Sequence, residues 1–447
     1  MAFKGTVFKK IKKTVPLNAL YYVIIYVLEG EIYMIKDIYP REKYLRKIRP
    51  FYHSDVIKVI TGIRRCGKSC ILQAIMNELT SHGVSKNQII YIPLDRRGYK
   101  NIRTPEALEN KIESELGEEA LYYLFVDEVQ NVRGFESVIQ AYAEEGFSVF
   151  LTGSNSYLLS DEISTKLTGR YLNFETYPLD FLEYLEMKKY FNKQIHSDIY
   201  IEFEEYILNG GLPKSLEFDD VSTRQTYTRG IISEIFEKDV KTRKRITNVP
   251  VYERVQSFIL NNYAAPFSLI NLLECLEKEG YKTKATTVRG YIEDLKKAKI
   301  IYECNRFDLK SKKSLKREQK YYLADLAIYF AMNTDNRLSF GPSLENIVYL
   351  YLSSQDYQIS IGKIGKLECD FILRNKKGDY AYVQVAYTLQ GEDLKATERI
   401  KEREYRPFRE IRDSYPRYII SLDRFCDQQE GVKHINAIDL FLGKEVL

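Results

Sequence analysis

The chain is poor in metal-binding side chains. Its 447 residues include four histidines and six cysteines, the latter at positions 66, 70, 275, 304, 369 and 426. No CxxC pair and no HExxH occurs, and the histidines stand apart from the cysteines. This excludes zinc sites of the usual spacing, structural or hydrolytic. Nor do the cysteines form a disulfide framework, so a reduced, cytoplasmic chain is expected. Long apolar runs are missing as well. The longest, Leu20–Leu28, falls far short of the ~20 residues a spanning helix needs. It follows Lys9, Lys10, Lys12 and Lys13 but runs into Glu29 and Glu31 without a small-residue cleavage site, unlike a secretion signal. A large excess of one charge is absent too: 67 basic residues stand against 62 acidic, a net of +5 that does not mark the whole chain as a nucleic-acid binder. What the chain has is 45% apolar residues and a length that suggests about three domains.

The strongest local pattern is Val56-Ile-Lys-Val-Ile-Thr-Gly62-Ile-Arg-Arg-Cys-Gly67-Lys68-Ser69-Cys70. A β-branched apolar run predicts a buried strand, GxxxxGKS follows, and Ile71, Leu72, Ile75 and Leu79 recur at helical spacing. A strand, a glycine loop and a helix N-terminus together make a phosphate cradle. The loop residues Gly62, Arg65, Cys66, Gly67, Lys68, Ser69 and Cys70 are therefore expected to bind nucleotide. Lys68 would reach the outer phosphates, and the Ser69 hydroxyl would ligate Mg²⁺. A second apolar strand, Leu121–Val126, ends in Asp127 and Glu128. Asp127 suits Mg²⁺, and Glu128 suits polarising the attacking water. A third, Ser148-Val-Phe-Leu-Thr-Gly153, ends in Ser154 and Asn155. In a parallel sheet these carboxyl ends line one crevice, so Ser154 or Asn155 is a candidate for contact with the terminal phosphate or the water. Arg170, in Leu167-Thr-Gly-Arg-Tyr171, is a candidate arginine finger, in cis or from a neighbouring subunit.

The segments ITGIRRCGKS (60–69), LFVDEVQ (124–130), LTGSNSYLLS (151–160), LTGRY (167–171), YPLDFLEYLE (177–186) and GGLP (210–213) together resemble the predicted AAA+-superfamily ATPases of bacteria and archaea. These join an AAA-type domain to a C-terminal domain of unknown function, often described as nuclease-like. The resemblance covers roughly residues 34–425. It implies ATP and Mg²⁺ at Lys68, Ser69 and Asp127, hydrolysis through Glu128, a sensing role for Ser154 or Asn155, and a trigger role for Arg170. It begins near Met34, which fits the expectation that residues 1–33 are an upstream extension.

The implied fold is an α/β P-loop domain of AAA type over 34–180, followed by a helical lid over 181–249. Gly210 and Gly211 are hinge candidates in that lid, or simply a helix-ending turn. Helical spacing at 251–262, 268–279 and 284–298, followed by strands near 300–304 and 320–323, reads as a winged helix over 250–323. Residues 282–320 hold thirteen basic and five acidic residues, a concentration that suits a phosphate backbone. DNA or RNA is therefore one expected partner; a protein partner or self-association is the other. Residues 324–447 read as a restriction-endonuclease-like α/β domain, with Asp370 and Glu345 as candidate acids. The next strand carries Gln384 and Ala386 where an acid and a lysine are required, which predicts an inactive nuclease fold.

Overall fold

Two sheets organise the chain, one parallel and one mixed. The computed structural model describes residues 23–28, 31–36, 38–119, 121–153, 170–241, 246, 248–311, 313–332 and 340–447. Strands β1 (Val23–Leu28) and β2 (Glu31–Lys36) form a small hairpin. Helix α1 (Glu42–Ile48) precedes the first sheet. That sheet contains β3 (Ile57–Thr61), α2 (Lys68–Ser81) leading to β4 (Ile89–Pro93), and α3 (Pro105–Glu113) leading to β5 (Tyr123–Asp127). Helix α4 (Phe135–Glu144), β6 (Ser148–Gly153) and β7 (Tyr171–Glu175) complete it. All five strands are parallel, in the order β4-β5-β6-β3-β7.

Strands β3, β5 and β6 are buried along their whole length, because helices cover both faces of a parallel sheet. Val59, Leu124, Val126 and Leu151 pack on one side with Leu108, Ile112 and Ile139. Ile60, Phe125 and Phe150 pack on the other with Leu45, Ile71, Leu72 and Ile75. Phe125 and Phe150 stack with ring centroids 4.5 Å apart. The strand order puts β6 between the strand carrying the glycine loop and the strand ending in the two acids.

The second half begins with α5 (Phe181–Tyr190), α6 (Ile199–Asn209) and α7 (Val221–Ile235), which continues into one turn of π-helix, Phe236–Val240. Then come α8 (Val249–Asn261), α9 (Leu269–Lys278), α10 (Ala285–Lys297) and an antiparallel hairpin of β8 (Ile301–Asp308) and β9 (Lys313–Leu323). Three helices and a hairpin stand in the expected order, and Val288, Ile292 and Leu295 are buried as the α10 spacing predicts. Helices α11 (Leu326–Met332) and α12 (Phe340–Ser354) lead to β10 (Gln358–Ile364), β11 (Leu367–Arg374), β12 (Tyr380–Val385), α13 (Leu394–Arg409) and β13 (Arg417–Ser421). The short β14 (Gln428–Gln429), β15 (Val432–Asn436) and α14 (Ala437–Phe441) close the chain.

The hairpin does not stand apart as a free wing. Strand β8 also pairs in parallel with β10, giving one eight-stranded sheet ordered β14-β15-β13-β12-β11-β10-β8-β9. A boundary between residues 323 and 324 would therefore cut this sheet. An isolated hairpin is marginal in water, and β10 supplies the third strand that stabilises it. One apolar cluster runs from Ile63, Cys66 and Leu179 through the lid helices and the hairpin to Phe441. The second half is thus a single core that reaches into the glycine loop.

Candidate functional site: a phosphate loop and its acids

Strand β3 ends at Thr61, and the backbone turns at once. Gly62 has φ +144°, and a Cβ there would lie 2.1 Å from the carbonyl oxygen of Thr176, so only glycine fits. Arg65 at φ 70° and Gly67 at φ 104° complete the left-handed turns before α2 starts at Lys68. Lys68 is buried, and its Nζ donates to the carbonyls of Gly62 and Ile63, each at 3.1 Å. Among the described residues this loop curls around the N-terminal end of a fourteen-residue helix, a geometry that suits an anion.

Two hard oxygen donors sit beside it. Ser69 Oγ donates to Asp127 Oδ1 at 3.1 Å, and Tyr91 donates to Asp127 Oδ2 at 3.3 Å. Asp127 is 2% exposed. Burial raises its pKa, the Thr152 hydrogen bond opposes that rise, and the Glu128 charge adds to it. A hydroxyl and a carboxylate at this spacing are the ligand types Mg²⁺ takes alongside phosphate oxygens. The next residue, Glu128, has φ 56°, a left-handed conformation that costs a non-glycine residue about 1–2 kcal/mol. Its amide donates to Thr152 Oγ1 at 2.9 Å, and its carboxylate accepts from Gln130.

The sequence reading missed Thr152, which organises both acids. Fully buried on β6, it donates to Asp127 and accepts from the Glu128 amide. Only the strand order reveals this, because in the sequence it looks like one more residue of an apolar strand. Arg41 was missed as well. Lying just before α1 and 3% exposed, it forks onto Glu183 at 2.9 and 2.6 Å. It also donates to the carbonyls of Cys66 and Tyr177, both at 2.8 Å, and so clamps the back of the loop.

Other expected site residues fall less simply. Ser154 and Asn155 lie outside the described residues, next to the end of β6 at Gly153. The Cys66 side chain is buried in the large core, where Sγ contacts the Thr176 carbonyl at 3.4 Å, so it faces away from a ligand. Cys70 is exposed. Arg65 is exposed and pairs with Glu234 at 3.3 Å. Arg170 stands apart from the loop. Its carbonyl accepts from Ile57 at the start of β3, whereas the phosphate loop follows the end of that strand. At ~3.3 Å per residue the two lie at opposite ends of β3. The side chain is 64% exposed and pairs with Glu144 at 3.6 Å. The structure therefore does not bring Arg170 to this chain's own loop.

The two glycines expected as a hinge are close-packing positions. A Cβ on Gly210 would lie 1.8 Å from Asp325 Oδ1, and one on Gly211 would lie 2.1 Å from the Leu179 carbonyl. Asp325 accepts from the amides of Gly211 at 2.8 Å and Ala327 at 2.9 Å. Burial pushes its carboxyl up to about 6, against those backbone bonds. Pro213 comes within 3.8 Å of where a Gly67 Cβ would stand, so this turn borders the phosphate loop.

Within 282–320, internal pairing consumes part of the basic excess. Lys296 pairs with Glu293 and Glu303, Lys299 with Glu175, and Arg306 with Glu318 and Glu368. Among the described residues, Lys282, Lys284, Arg289 and Lys297 remain exposed along and just before α10 without an acidic partner. In the C-terminal layer, the two acids expected from sequence do come together. A lysine stands among them: Lys320 Nζ lies 2.9 Å from Glu345, 2.8 Å from Glu368 and 3.8 Å from Asp370, and is 3% exposed. It comes from β9 rather than β12. Among the described residues no group of three or more histidine, cysteine, aspartate or glutamate side chains could hold a metal.

Comparison with known proteins agrees with the first-half reading. Residues 54–185 match the AAA domain family, and residues 200–339 match a domain of unknown function, DUF8612. An uncharacterised protein of Haemophilus influenzae is 29% identical over 415 residues, covering 92% of this chain and all of that one. An uncharacterised protein of Methanocaldococcus jannaschii is 28% identical over 392 residues, 86% of this chain and 85% of its own length. Among solved structures, the Walker-type ATPase of Pyrococcus abyssi overlaps 66% of this chain and 96% of its own, at 21% identity and a TM-score of 0.48. The AMPPCP-bound DnaA of Aquifex aeolicus overlaps 58% and 89%, at 16% identity and a TM-score of 0.30. Residues 54–185 match the AAA domain family, and the loop, lysine, serine and paired acids gathered within them support reading this part of the chain as an AAA-type ATP-binding domain.

Proposed function

We propose that the chain is a Mg²⁺-dependent ATPase whose hydrolysis repositions its second half. The observation that carries this reading is the Ser69–Asp127–Thr152–Glu128 constellation at the mouth of the phosphate loop. Mg²⁺ held by Ser69 and Asp127 would neutralise phosphate charge. Lys68 would exchange its loop carbonyls for phosphate oxygens. Glu128, held by Thr152 and Gln130, would take a proton from the attacking water, with Ser154 or Asn155 alongside. Arg170 would serve only a neighbouring copy in a self-associated state. We place this work in the cytoplasm; no helix among the described residues is long and apolar enough to cross a membrane.

In the second half, the three helices and hairpin act as a winged helix, and the exposed Lys282, Lys284, Arg289 and Lys297 favour contact with DNA or RNA backbone. The rival reading is a nucleotide-gated switch for a protein partner. The C-terminal layer, nuclease-like in arrangement, would not cut nucleic acid, because Lys320 stands where a metal would have to sit and Gln384 replaces an acid. Steady-state ATP hydrolysis by wild type and Glu128→Gln, with and without DNA or RNA, tests the proposal. Turnover lost in Glu128→Gln supports hydrolysis, and a rise with nucleic acid supports the first reading of the second half. Neutralising the four cations should then lower the slope of log affinity against log salt by up to ~4. Turnover indifferent to nucleic acid favours the protein switch. No turnover with ATP bound would refute the ATPase.

A further inference from the structure

The phosphate loop carries two arginines, and the surroundings of the first are not explained by nucleotide binding alone. Arg64 forks onto Asp239, with Nε 3.0 Å from Oδ2 and Nη2 2.9 Å from Oδ1, and lies 3.7 Å from Glu234. Both acids belong to the lid: Glu234 is near the end of α7, and Asp239 is in the π-helical turn that follows. Such turns are rare and are found mainly where function requires a side chain to be re-aimed. Here the turn carries a buried carboxylate to a loop arginine. A third carboxylate acts on the same guanidinium. Burial opposes the Arg64 charge, and Asp239, then Glu128, then Glu234, more than restore it. Two lid acids hold this cation, and the charge of the candidate catalytic acid favours it too.

A largely buried ion pair of this kind is a poor source of stability, since desolvation consumes much of the attraction. Its value lies in being exchangeable. The sequence offers Arg170 as trigger, yet Arg170 sits at the opposite end of β3 from the loop. Arg64 is in the phosphate loop itself, two residues after Gly62 and four before Lys68. We propose that Arg64 is the trigger arginine of this ATPase, acting in cis, and that Asp239 and Glu234 hold it back until the terminal phosphate draws it away. The inference rests on the ATPase reading above. In the step, the oxygen of water bonds to the terminal phosphorus as the bond from that phosphorus to the bridging oxygen breaks. The bridging oxygen keeps the electron pair and leaves with ADP, while the proton of water passes to Glu128 and then to solvent. Arg64 forms and breaks no covalent bond. It neutralises charge on the phosphoryl oxygens, and in moving it unlocks the lid, so one guanidinium couples hydrolysis to the second half.

The test compares kcat and KM for ATP in wild type, Arg64→Ala, Arg64→Lys, Asp239→Asn and Glu128→Gln, with a melting temperature for each. Arg64→Ala should lower kcat by ~100-fold or more, as loss of a charge-stabilising donor does, with KM changed less than about threefold. Arg64→Lys should not restore it, because lysine lacks the fork. Asp239→Asn keeps the shape and removes the competing charge, so it should raise kcat about three- to tenfold. A merely structural tie predicts a fall, not a rise, in the kcat of Asp239→Asn, together with a lower melting temperature in both variants, and that result would overturn the inference. Should Arg64→Ala fail to fold, the direction of the Asp239→Asn change decides alone. Glu128-dependent turnover that ignores Arg64 would overturn this inference only. No turnover in the wild type would remove the ATPase reading and this one with it.

Discussion

Replacing Thr152 by valine keeps the shape of a fully buried side chain and deletes one hydroxyl. That hydroxyl makes two bonds, one to the Asp127 carboxylate and one from the Glu128 amide at 2.9 Å. A hydrogen bond to a charged acceptor contributes about 1.5–3 kcal/mol, and a buried amide left unmade costs about 1–3 kcal/mol. With partial relaxation, the fold should lose about 2–4 kcal/mol, read by urea unfolding. The rate should fall further than stability alone dictates. Glu128 is held in a strained left-handed conformation, and its amide would lose its tether; misplacing a catalytic group by about 1 Å costs on the order of 10²-fold. There is also a signature in pH. Burial raises the Asp127 carboxyl, and the Thr152 bond is the main opposing influence, so without it the pKa climbs further. Less Asp127 is then ionised at a given acidic pH, and the acid limb of kcat/KM should move to higher pH. Thr152→Ser, which keeps the hydroxyl, should restore most of the limb and the rate. Wild-type turnover and an unshifted limb in Thr152→Val would refute the argument, as would a serine variant no better than valine.

Two further outcomes test the packing. Lys58 is fully buried in β3, donating to the Ser54 carbonyl and to Ser148 Oγ, both at 2.8 Å, and burial pushes its amine down to about 7. Between that value and the unfolded one near 10.5, the unfolded chain holds the proton, so stability should rise with pH by up to ~1.4 kcal/mol per unit. Lys58→Met should flatten this rise and stabilise the protein below pH 7; urea titrations at several pH values read both. Gly210→Ala places a Cβ 1.8 Å from Asp325 Oδ1 at φ +70°. It should cost more than about 2 kcal/mol and lower the melting temperature, and an unchanged melt would contradict the packing described here.

The first half was legible because its chemistry is local. Gly62, Gly67, Lys68 and Ser69 sit in one short stretch, and Asp127 and Glu128 are adjacent at a strand tip, so composition and spacing expose them. What escaped depends on strand order and long-range approach. Thr152 meets the acids only because β6 lies between β3 and β5. Arg41 reaches Cys66 of the loop from 25 residues upstream, and its partner Glu183 lies 142 residues beyond Arg41. Arg170 looked well placed because it follows a glycine near the third strand, but a parallel strand starts at the edge opposite the crevice. In the C-terminal layer the strands and the acids Glu345 and Asp370 were readable. Lys320 was not, because the sequence reads it only as the start of a hairpin strand, and its approach to Glu345, Glu368 and Asp370 depends on long-range packing.

Ile63 and Cys66, two side chains of the phosphate loop, belong to the same apolar core as the lid helices and the C-terminal sheet, while Arg41 spends its buried charge on Glu183 across that junction. An AAA domain cut away after residue 180 would expose this seam and leave a guanidinium buried without its carboxylate. The two halves can therefore be neither exchanged between relatives nor shuffled onto new partners one at a time. A substitution on one side of the seam must be answered on the other, although residues 54–185 and 200–339 match different families.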